Sequence, residues 1–179
     1  SWTCGPPSAD RRGRPASTSV ASVRNAFKGL MARVASGVVV VTARVGDEDH
    51  AMTANSFTSV SLDPELVLFC VQQDSRFHDA IHAADRWVVN LLSAEQAPAA
   101  RWFAERGRPL EHQMDLVDYS RGDDGIAVLK GSIGHLGCTT DAIHPAGDHS
   151  IVVGRVDRIV YENLEAPPLV YLDHRLGPL

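Results

Sequence analysis

The chain has 179 residues, of which 44% are hydrophobic, and a formal net charge of -5. This length favours one domain with a substantial core, and this composition is typical of a globular protein rather than a disordered one. There is no long run of Lys and Arg, which argues against nucleic acid as the main partner because neutralising phosphates needs clustered cations. A small molecule carrying a phosphate is not excluded, since one or two cations can bind it.

The cysteines and the apolar runs predict the compartment. Cys4, Cys70 and Cys138 form neither a CxxC pair nor a zinc-binding spacing, which predicts buried, inert thiols in a reducing compartment, with Cys4 in a loose tail. The longest apolar run, residues 38–41, is too short to span a bilayer, and the start lacks the apolar core of a signal peptide. We therefore expect a cytoplasmic protein that makes no membrane contact.

The N-terminal part of the chain changes character near residue 20. Residues 1–19 are rich in Pro, Gly, Ser and Arg, so we expect a flexible tail followed by one domain over residues 20–179. Apolar residues then recur at three- and four-residue steps from Val20 to Val34, which predicts a helix with Gly37 as its C-terminal signal.

The rest of the chain alternates short apolar runs with turn residues. β-branched and apolar runs predict strands over residues 38–45, 51–57, 66–71, 86–92, 127–143 and 149–162. Helices are predicted over residues 75–84 and 94–107, and residues 108–125 are polar and irregular. Regular strand-helix alternation is absent from the second half, so we expect a mostly β, mostly antiparallel barrel with accessory helices rather than a doubly wound sheet.

Several well-known nucleotide-binding and catalytic signatures are missing. No GxGxxG follows a strand, and the chain has no Walker A loop, no HExxH and no GxSxG. His78 and His82 are four residues apart on one predicted helix and could share a metal, but no third ligand is visible. A solvent-facing histidine is the favoured interpretation, and no metal is expected.

The stretch AMTANSFTSVSLDP (51–64) is unusual for a strand because small polar side chains crowd it. These side chains are Thr53, Asn55, Ser56, Thr58, Ser59 and Ser61. Small hydroxyl groups and open backbone amides can contact a polar heteroaromatic ring or a phosphate. An exposed edge strand followed by a Ser-rich turn explains the same composition equally well.

Two further stretches carry candidate ligand groups. In SRFH (75–78), Ser75 is a good N-cap, the first helix amides can receive an anion, and Arg76 adds a charge that can contact phosphate. In GDHSIVVGRV (147–156), strand alternation places His149 at the rim of an apolar face. Taken singly, a capped helix with a solvated arginine and a half-buried structural histidine are the favoured interpretations.

Taken together in this order, the three stretches resemble the flavin reductase family, whose fold is the FMN-binding split β-barrel. That family includes the short-chain reductase components of two-component flavin-dependent monooxygenases. The resemblance runs from about Phe27 to Tyr171, and its most specific parts are MTANSFTSVSLDPELVLFCV (52–71) and GDHSIVVGRV. Phe77 stands where the family often has a small Thr, and Leu176 stands where it often has an aromatic residue.

The resemblance implies a flavin site along MTANS and the end of strand 66–72, with the phosphate near Ser56, Ser75 and Arg76. The residues expected to bind FAD or FMN are Thr53, Ala54, Asn55, Ser56, Ser61, Ser75, Arg76 and His78. His149 is expected to meet the nicotinamide nucleotide and is the catalytic candidate. NADH is favoured over NADPH because the sequence shows no obvious Arg cluster for a 2′-phosphate.

The function that follows from the resemblance is hydride transfer from NADH to FAD or FMN. Reduced flavin is then expected to reach a separate flavin-dependent monooxygenase by diffusion, and the family implies a homodimer with flavin sites near the subunit interface. Rival functions are a flavin-dependent oxidase on the same barrel, a non-enzymatic flavin-binding or redox-sensing protein, and a structural β-barrel dimer without a ligand. The GDH segment favours the reductase because that part of the resemblance is reductase-specific.

Overall fold

The computed structural model describes residues 20–178, with side chains from residue 22 onward. The tail predicted over residues 1–19 lies outside the described residues. The chain divides into two compact units, with Val34 the last residue of the first and Ala35 the first residue of the second. No helix between residues 20 and 178 is long and apolar enough to cross a membrane.

The first unit contains the helix that the apolar periodicity predicted. This helix, α1, runs over Val20–Met31. It ends several residues before Gly37, which lies in the first strand instead. The apolar side chains of Val23, Phe27 and Leu30 on α1 are exposed.

The second unit is mostly β, as predicted. Its strands are β1 (Ser36–Gly37), β2 (Val39–Val45), β3 (Glu48–Ala54), β4 (Thr58–Leu62), β5 (Glu65–Gln72), β6 (Arg86–Leu91), β7 (Tyr119–Arg121), β8 (Ala127–Leu129), β9 (Gly134–Ala146), β10 (His149–Tyr161), β11 (Leu169–Leu172) and β12 (Arg175–Pro178). Its helices are α2 (Arg76–Ala83) and α3 (Ala97–Ala104), and a 3-10 turn (Ala94–Gln96) precedes α3.

Seven of these strands form one antiparallel sheet in the order β3-β2-β6-β9-β10-β5-β4. The sheet curls around a core in which alternate side chains of β5, among them Phe69, point inward. The backbone N–H of Cys70 on β5 donates to Ser56 Oγ just after β3 at 2.9 Å, so the two ends of the curled sheet approach each other. This gap between β3 and β5 is where the candidate site lies.

Trp87 fills the middle of this core. It is fully buried, its ring meets Phe69 edge to face at a centroid distance of 5.1 Å, and its Nε1–H donates to Thr140 Oγ1 at 3.0 Å. A Cβ on Gly154 of β10 would lie 2.2 Å from Trp87 Cζ2, so only glycine fits at that position. The β9-β10 register shifts next to Gly154, which is typical of a β-bulge.

A second core lies on the other side of β2 and β3. Its buried apolar side chains come from β2, α3, β8 and β11 and from the residues next to β2 and β6, and they include Val38, Val40, Leu92, Ala100, Phe103, Leu129 and Leu169. A three-stranded sheet, β1-β11-β12, borders this core. The second core fixes α3 and the segment that follows it against the edge strand β3.

The structure corrects two strand predictions and one helix prediction. Residues 58–62, for which no strand was predicted, form β4 and pair with β5, and Pro64 lies in the turn between them. The long strand predicted over residues 127–143 is two strands, because Gly131 has a φ of +82° and turns the chain between β8 and β9. The helix predicted over residues 94–107 is a 3-10 turn followed by α3, with Pro98 in the first turn of α3, where proline is tolerated.

Candidate functional site

A cavity of about 590 Å³ lies between β3, the N-terminus of α2 and the segment that follows α3. Its lining includes Met52, Phe77 and Phe103 as apolar surface, together with polar side chains from each of the three elements. This first cavity combines an apolar floor with a few polar groups, which is the usual character of a small-molecule site.

The edge of β3 opens onto this cavity. β3 is an edge strand of the seven-stranded sheet, so alternate residues direct their backbone N–H and C=O groups away from β2. Two of those outward carbonyls, on Asp49 and Ala51, accept hydrogen bonds from the side chains of Gln113 and Arg108. Thr53 is the next residue in this orientation, so its backbone groups face the cavity.

Several of the residues predicted to bind flavin gather at the end of β3 and line the cavity. These are Thr53, Ala54, Asn55 and Ser56. Thr53 Oγ1 donates to the carbonyl of Ala100 in α3 at 2.7 Å, which ties β3 to that helix. Asn55 Nδ2 lies 3.3 Å from Ser36 Oγ. The polar crowding in this stretch therefore fixes the walls of the cavity and also leaves open backbone groups on its surface.

The N-terminus of α2 forms another wall, and the sequence predicted its cap correctly. Ser75 has extended backbone dihedrals and its Oγ accepts from the N–H of His78 at 3.2 Å, so Ser75 is the N-cap. Ser75 Oγ also donates to the carbonyl of Gln72 at 2.7 Å. Arg76 follows, is exposed, and lines the cavity. A helix N-terminus beside a guanidinium group favours an anion.

Arg76 is held by a second arginine that the sequence interpretation missed. Its Nη2 donates to the backbone carbonyl of Arg108 at 2.6 Å. The guanidinium of Arg108 in turn donates to the carbonyls of Phe103 and Glu105, both at 2.9 Å, and to the carbonyl of Ala51. Arg108 therefore joins α3, β3 and Arg76 in one hydrogen-bonded unit.

The lining of the first cavity holds three arginines together with two carboxylates, those of Asp74 and Glu105. Arg76, Arg106 and Arg108 all line it, and His50 lies beside them. Burial and the nearby charge of Arg76 lower the pKa of Arg108, and burial together with Arg76 also lowers the pKa of His50. Arg106 donates to Gln72 and lies 3.2 Å from Asp74 Oδ1. The lowered pKa values show that these positive groups repel one another. A bound anion would reduce this repulsion.

His149, predicted at the rim of an apolar strand face, is among the residues that line the same cavity. It begins β10 and pairs with Gln72 of β5 and Ala146 of β9. Gln73 holds the turn that precedes β10 through two hydrogen bonds. Its backbone N–H donates to the carbonyl of Asp148 at 3.1 Å, and its Nε2 donates to the carbonyl of His149 at 3.0 Å.

The imidazole of His149 is oriented by its neighbour in the turn. Nδ1 lies 2.7 Å from Asp148 Oδ1, and the side chain of His149 is 43% exposed. A carboxylate only accepts, so this contact places a hydrogen on Nδ1. The unprotonated Nε2 of a neutral ring is then left as the acceptor for a ligand.

Two of the predicted flavin-binding residues do not join the lining. Ser61 lies on β4, where its Oγ accepts from the N–H of Asp63 at 3.3 Å. The imidazole Nε2 of His78 lies 3.1 Å from Ser150 Oγ, and its ring lies against that of His82 at a centroid distance of 4.5 Å. Only the backbone N–H of His78 takes part in the α2 cap. Within residues 20–178, no group of three or more His, Cys, Asp or Glu residues is arranged to hold a metal.

The cysteines differ from one another. Cys138 is fully buried, and burial raises the pKa of its thiol to about 12, which makes it inert as expected. Cys70 is only partly buried and lines the first cavity, which the sequence interpretation did not anticipate. Cys4 lies outside the described residues.

A second cavity, of about 810 Å³, lies on the other side of Thr53 and Asn55. Its walls come from β3, from α3 and from the hairpin that joins β11 to β12. Thr53, Asn55, Ala104 and Glu105 line both cavities, so the two cavities share a wall. Sequence reasoning assigned nothing to this place.

The functional residues that sequence reasoning missed belong to the segment after α3. The sequence suggested no arginine cluster, yet the fold brings Arg106 and Arg108 of this segment to Arg76. The signal that could have found them is the ERGR stretch (105–108), in which two arginines immediately follow an amphipathic helix. Their partners come from β3 and β5, so only the tertiary structure reveals the contacts.

Comparisons with known proteins agree with this geometry. Residues 31–179 match the flavin reductase like domain family. The chain is 40% identical over 144 residues to an NADH-dependent flavin reductase of a Rhodococcus species, covering 79% of this chain and 78% of that protein. It is 39% identical over 153 residues to the reductase component of 4-hydroxyphenylacetate 3-monooxygenase of Thermus thermophilus, covering 83% and 92% of the two chains.

Among solved structures, the NADH:FAD oxidoreductase SgcE6 of Streptomyces globisporus, in complex with NAD and FAD fragments, superposes with a TM-score of 0.81. It shares 34% sequence identity, and the match covers 87% of this chain and 92% of that one. The expected fold class is therefore confirmed.

Proposed function

Because the chain belongs to the flavin reductase like family, we propose that it is an NADH-dependent flavin reductase that reduces FAD or FMN. The observation that carries the proposal is the first cavity, where an open strand edge, a helix N-terminus with Arg76, and the oriented ring of His149 surround one space. Relatives of this chain are NADH-dependent flavin reductases, and one is the reductase component of a two-component monooxygenase.

The residues of the first cavity fit a flavin. A planar ring can lie along β3 between Thr53 and Ser56, where open backbone groups can contact its polar edge and Met52 and Phe103 supply apolar surface. Thr53, Ala54, Asn55 and Ser56 are the contacts that we propose for the ring. Backbone donors of this kind leave no side-chain signature, which accounts for the lack of a catalytic triad in the sequence.

The phosphate of the flavin belongs, in this proposal, at the N-terminus of α2. Ser75 caps the helix, so the first backbone N–H groups of α2 and the free donors of Arg76 are the groups that meet the phosphate. The contact between Arg76 and the carbonyl of Arg108 leaves part of the guanidinium available and fixes its direction. This arrangement reduces the conformational entropy lost when the phosphate binds.

His149 orients the nicotinamide ring in this proposal. When bound, the flavin supplies the redox chemistry by accepting a hydride from the dihydronicotinamide, and this step depends on contact and alignment more than on acid or base catalysis. Nε2 of a neutral His149 can accept from the carboxamide N–H of NADH, while Asp148 and Gln73 hold the ring and its backbone in place. NADPH is the second candidate reductant.

We further propose a homodimer in the cytoplasm that releases reduced flavin to a separate monooxygenase. Support for the dimer comes from exposed apolar side chains within each unit, such as Phe27 and Leu30 on α1 and Leu62, Ile159 and Tyr161 on β4 and β10. Light scattering coupled to size-exclusion chromatography measures the mass in solution, and a mass of one chain at micromolar concentration contradicts the dimer.

The test of the activity is NADH oxidation by the purified protein with and without added flavin. Turnover that requires added FAD or FMN is the expected result. Bound flavin without NADH oxidation supports a flavin-binding protein instead, and the absence of both binding and turnover supports a structural barrel. An anaerobic assay that follows flavin bleaching separates flavin reduction from direct oxidation of NADH by oxygen.

A further inference from the structure

The ring of His78 lies outside the lining of the first cavity and joins α2 to β10 instead. Its Nε2 lies 3.1 Å from Oγ of Ser150, the second residue of β10. Ser150 is 3% exposed, and strand alternation directs its side chain to the face opposite that of its neighbour His149. The ring of His78 therefore contacts β10 directly behind the residue that is proposed to orient the nicotinamide.

The backbone of His78 belongs to the cap of α2. Its N–H donates to Oγ of Ser75 at 3.2 Å. The hydroxyl and the backbone N–H of Ser75 both donate to the carbonyl of Gln72, at 2.7 and 3.0 Å, and Gln72 is the β5 residue that pairs with His149. The first turn of α2 and the start of β10 are thus connected twice, through Gln72 and through the ring of His78.

The contact with Ser150 fixes the orientation of this ring. Nδ1 of His78 lies 3.8 Å from Oδ1 of Asp79, whose side chain is 91% exposed, and the exposed His82 lies against the ring at a centroid distance of 4.5 Å. The contact with Ser150 is shorter and more buried than the contact with Asp79. A serine hydroxyl both donates and accepts, so the hydrogen bond forms with either neutral tautomer of the imidazole.

The two connected elements carry different ligands in the proposed function. α2 meets the flavin phosphate at its N-terminus, and β10 presents His149 to the nicotinamide. Hydride transfer requires the two reacting rings to be in contact and aligned, and a displacement of about 1 Å can reduce the rate about a hundredfold. The separation of α2 and β10 therefore affects the rate of the reaction.

We propose that His78 is a positioning residue for hydride transfer, because its hydrogen bond to Ser150 sets the position of His149 relative to the phosphate end of α2. His78 acts through Ser150 and His149 and contacts neither the flavin nor the nucleotide. The inference rests on the proposed reductase function, since that function places the two ligands on these two elements.

Stopped-flow measurement of FMN reduction by NADH without oxygen tests this role. His78→Phe keeps an aromatic ring but removes both nitrogens, and hydride transfer to FMN should slow about tenfold. His78→Gln restores a group that donates and accepts, so it should recover most of the rate. The Kd for FMN should stay unchanged in both variants, because Ser75 and Arg76 remain in place.

Riboflavin separates positioning from a general loss of structure. It lacks the phosphate that attaches FMN to α2, so the separation of α2 and β10 does not fix its ring. The rate of riboflavin reduction should therefore be the same in His78→Phe and in the wild-type protein. Equal losses with FMN and with riboflavin would show that His78 only supports the fold, and they would overturn the proposal.

Ser150→Ala is the second variant, since it removes the partner of the ring instead of the ring. It should slow FMN reduction as much as His78→Phe does, and the double variant should show no further loss, whereas additive losses contradict the proposal. His82→Phe is the matched control. It makes the same substitution at an exposed position one helical turn later, in contact with His78, and it should leave the rate unchanged.

Failure of the two proposals can be told apart. If wild-type protein reduces FMN and His78→Phe does so at the same rate, the positioning role is wrong and the reductase function stands. If wild-type protein reduces no flavin, the reductase function is wrong, and NMR of the histidine rings tests the link by itself. The ring signals of His149 should shift in His78→Phe and return in His78→Gln, and unchanged signals in His78→Phe overturn the positioning role whatever the activity.

Discussion

The two cavities of the second unit both present arginines, but they hold them in different ways. In the first cavity Arg76, Arg106 and Arg108 donate to backbone carbonyls or to polar side chains before any ligand arrives. In the second cavity Arg101 and Arg175 make no such contact within the described part of the chain. The first set of cations is fixed by the protein itself, whereas no hydrogen bond within the described part of the chain fixes the second set.

This difference has an energetic consequence. Ordering a long side chain on binding costs about 0.5–1.5 kcal/mol, and a fixed arginine has lost that freedom already when the protein folds. We therefore expect the first cavity to bind an anionic ligand with little further loss of side-chain freedom. Arg101 and Arg175 would lose that freedom on contact with an anion, and salt screens their exposed charges.

The largest expected effect comes from removing the guanidinium that fixes the first cavity. Arg108→Met keeps the aliphatic stem but leaves the carbonyls of Ala51, Phe103 and Glu105 without their donor. An unsatisfied buried acceptor costs about 1–3 kcal/mol, so we expect the free energy of unfolding to fall by about 3 kcal/mol. Denaturant unfolding followed by circular dichroism measures this change.

Arg101→Met is the matched control for that substitution. Arg101 is an exposed residue of α3 that lines the second cavity and has no side-chain partner among the described residues, so its loss should change the free energy of unfolding by less than about 0.5 kcal/mol. Equal losses in the two variants would contradict the distinction between fixed and unfixed arginines.

The next largest effect is on the affinity for flavin rather than on the stability of the fold. Arg76→Ala removes the cation at the N-terminus of α2, and loss of one charge-assisted contact to phosphate should raise the Kd for FMN about tenfold to a hundredfold. Riboflavin lacks the phosphate, so its Kd should stay the same, and fluorescence titration measures both. A similar loss for riboflavin would mean that Arg76 supports the cavity wall instead of binding phosphate.

The sequence predicted more of the β3, α2 and β10 parts of the first cavity than of the part after α3. Ser75 as a cap and His149 at the rim depend on local chemistry and strand alternation, which one sequence displays. The role of Arg108 depends on carbonyls contributed by β3 and α3, far apart in the chain, so no local pattern reveals it. His78 was predicted to bind flavin, but its ring contacts Ser150 instead. The position of a residue in the sequence does not show which partner its side chain contacts.

Most of the fold was predictable because strands and turns also follow from local sequence patterns. Apolar runs and turn residues indicated most strands, and the core around Trp87 follows from them. β4 was missed because residues 58–62 are Ser-rich and exposed, and only pairing with β5 makes them a strand. The second cavity was invisible because it forms where β3, α3 and the β11–β12 hairpin meet.

A smaller effect tests the orientation of the ring at the rim of the first cavity. Asp148→Asn replaces an acceptor with a group that can donate to Nδ1 of His149, which favours the tautomer with its hydrogen on Nε2. The ring then cannot accept from the carboxamide, so KM for NADH should rise about tenfold while the Kd for FMN stays unchanged. His149→Ala should show the same pattern.

Steady-state kinetics on the double variant completes this test. If Asp148 acts only through His149, the KM of the double variant should equal that of His149→Ala, because the two side chains form one unit. Independent, additive increases would mean that Asp148 contacts the nucleotide by another route. An unchanged KM in His149→Ala would contradict a role for this ring in nucleotide binding.

The smallest effect is a pH dependence that belongs to the first cavity. Burial holds the pKa of His50 below its ordinary value, so the unfolded chain binds this proton more readily than the folded protein. The stability that neutral His50 contributes is therefore complete above the ordinary histidine pKa and is lost as the pH falls through the lowered one. Thermal unfolding between pH 7 and pH 5 (roughly the range in which histidines titrate) should show a shallower decrease of Tm in His50→Gln than in the wild-type protein. His144→Gln makes the same substitution at an exposed position of β9, and an equal change of slope in that variant would contradict a specific contribution from His50.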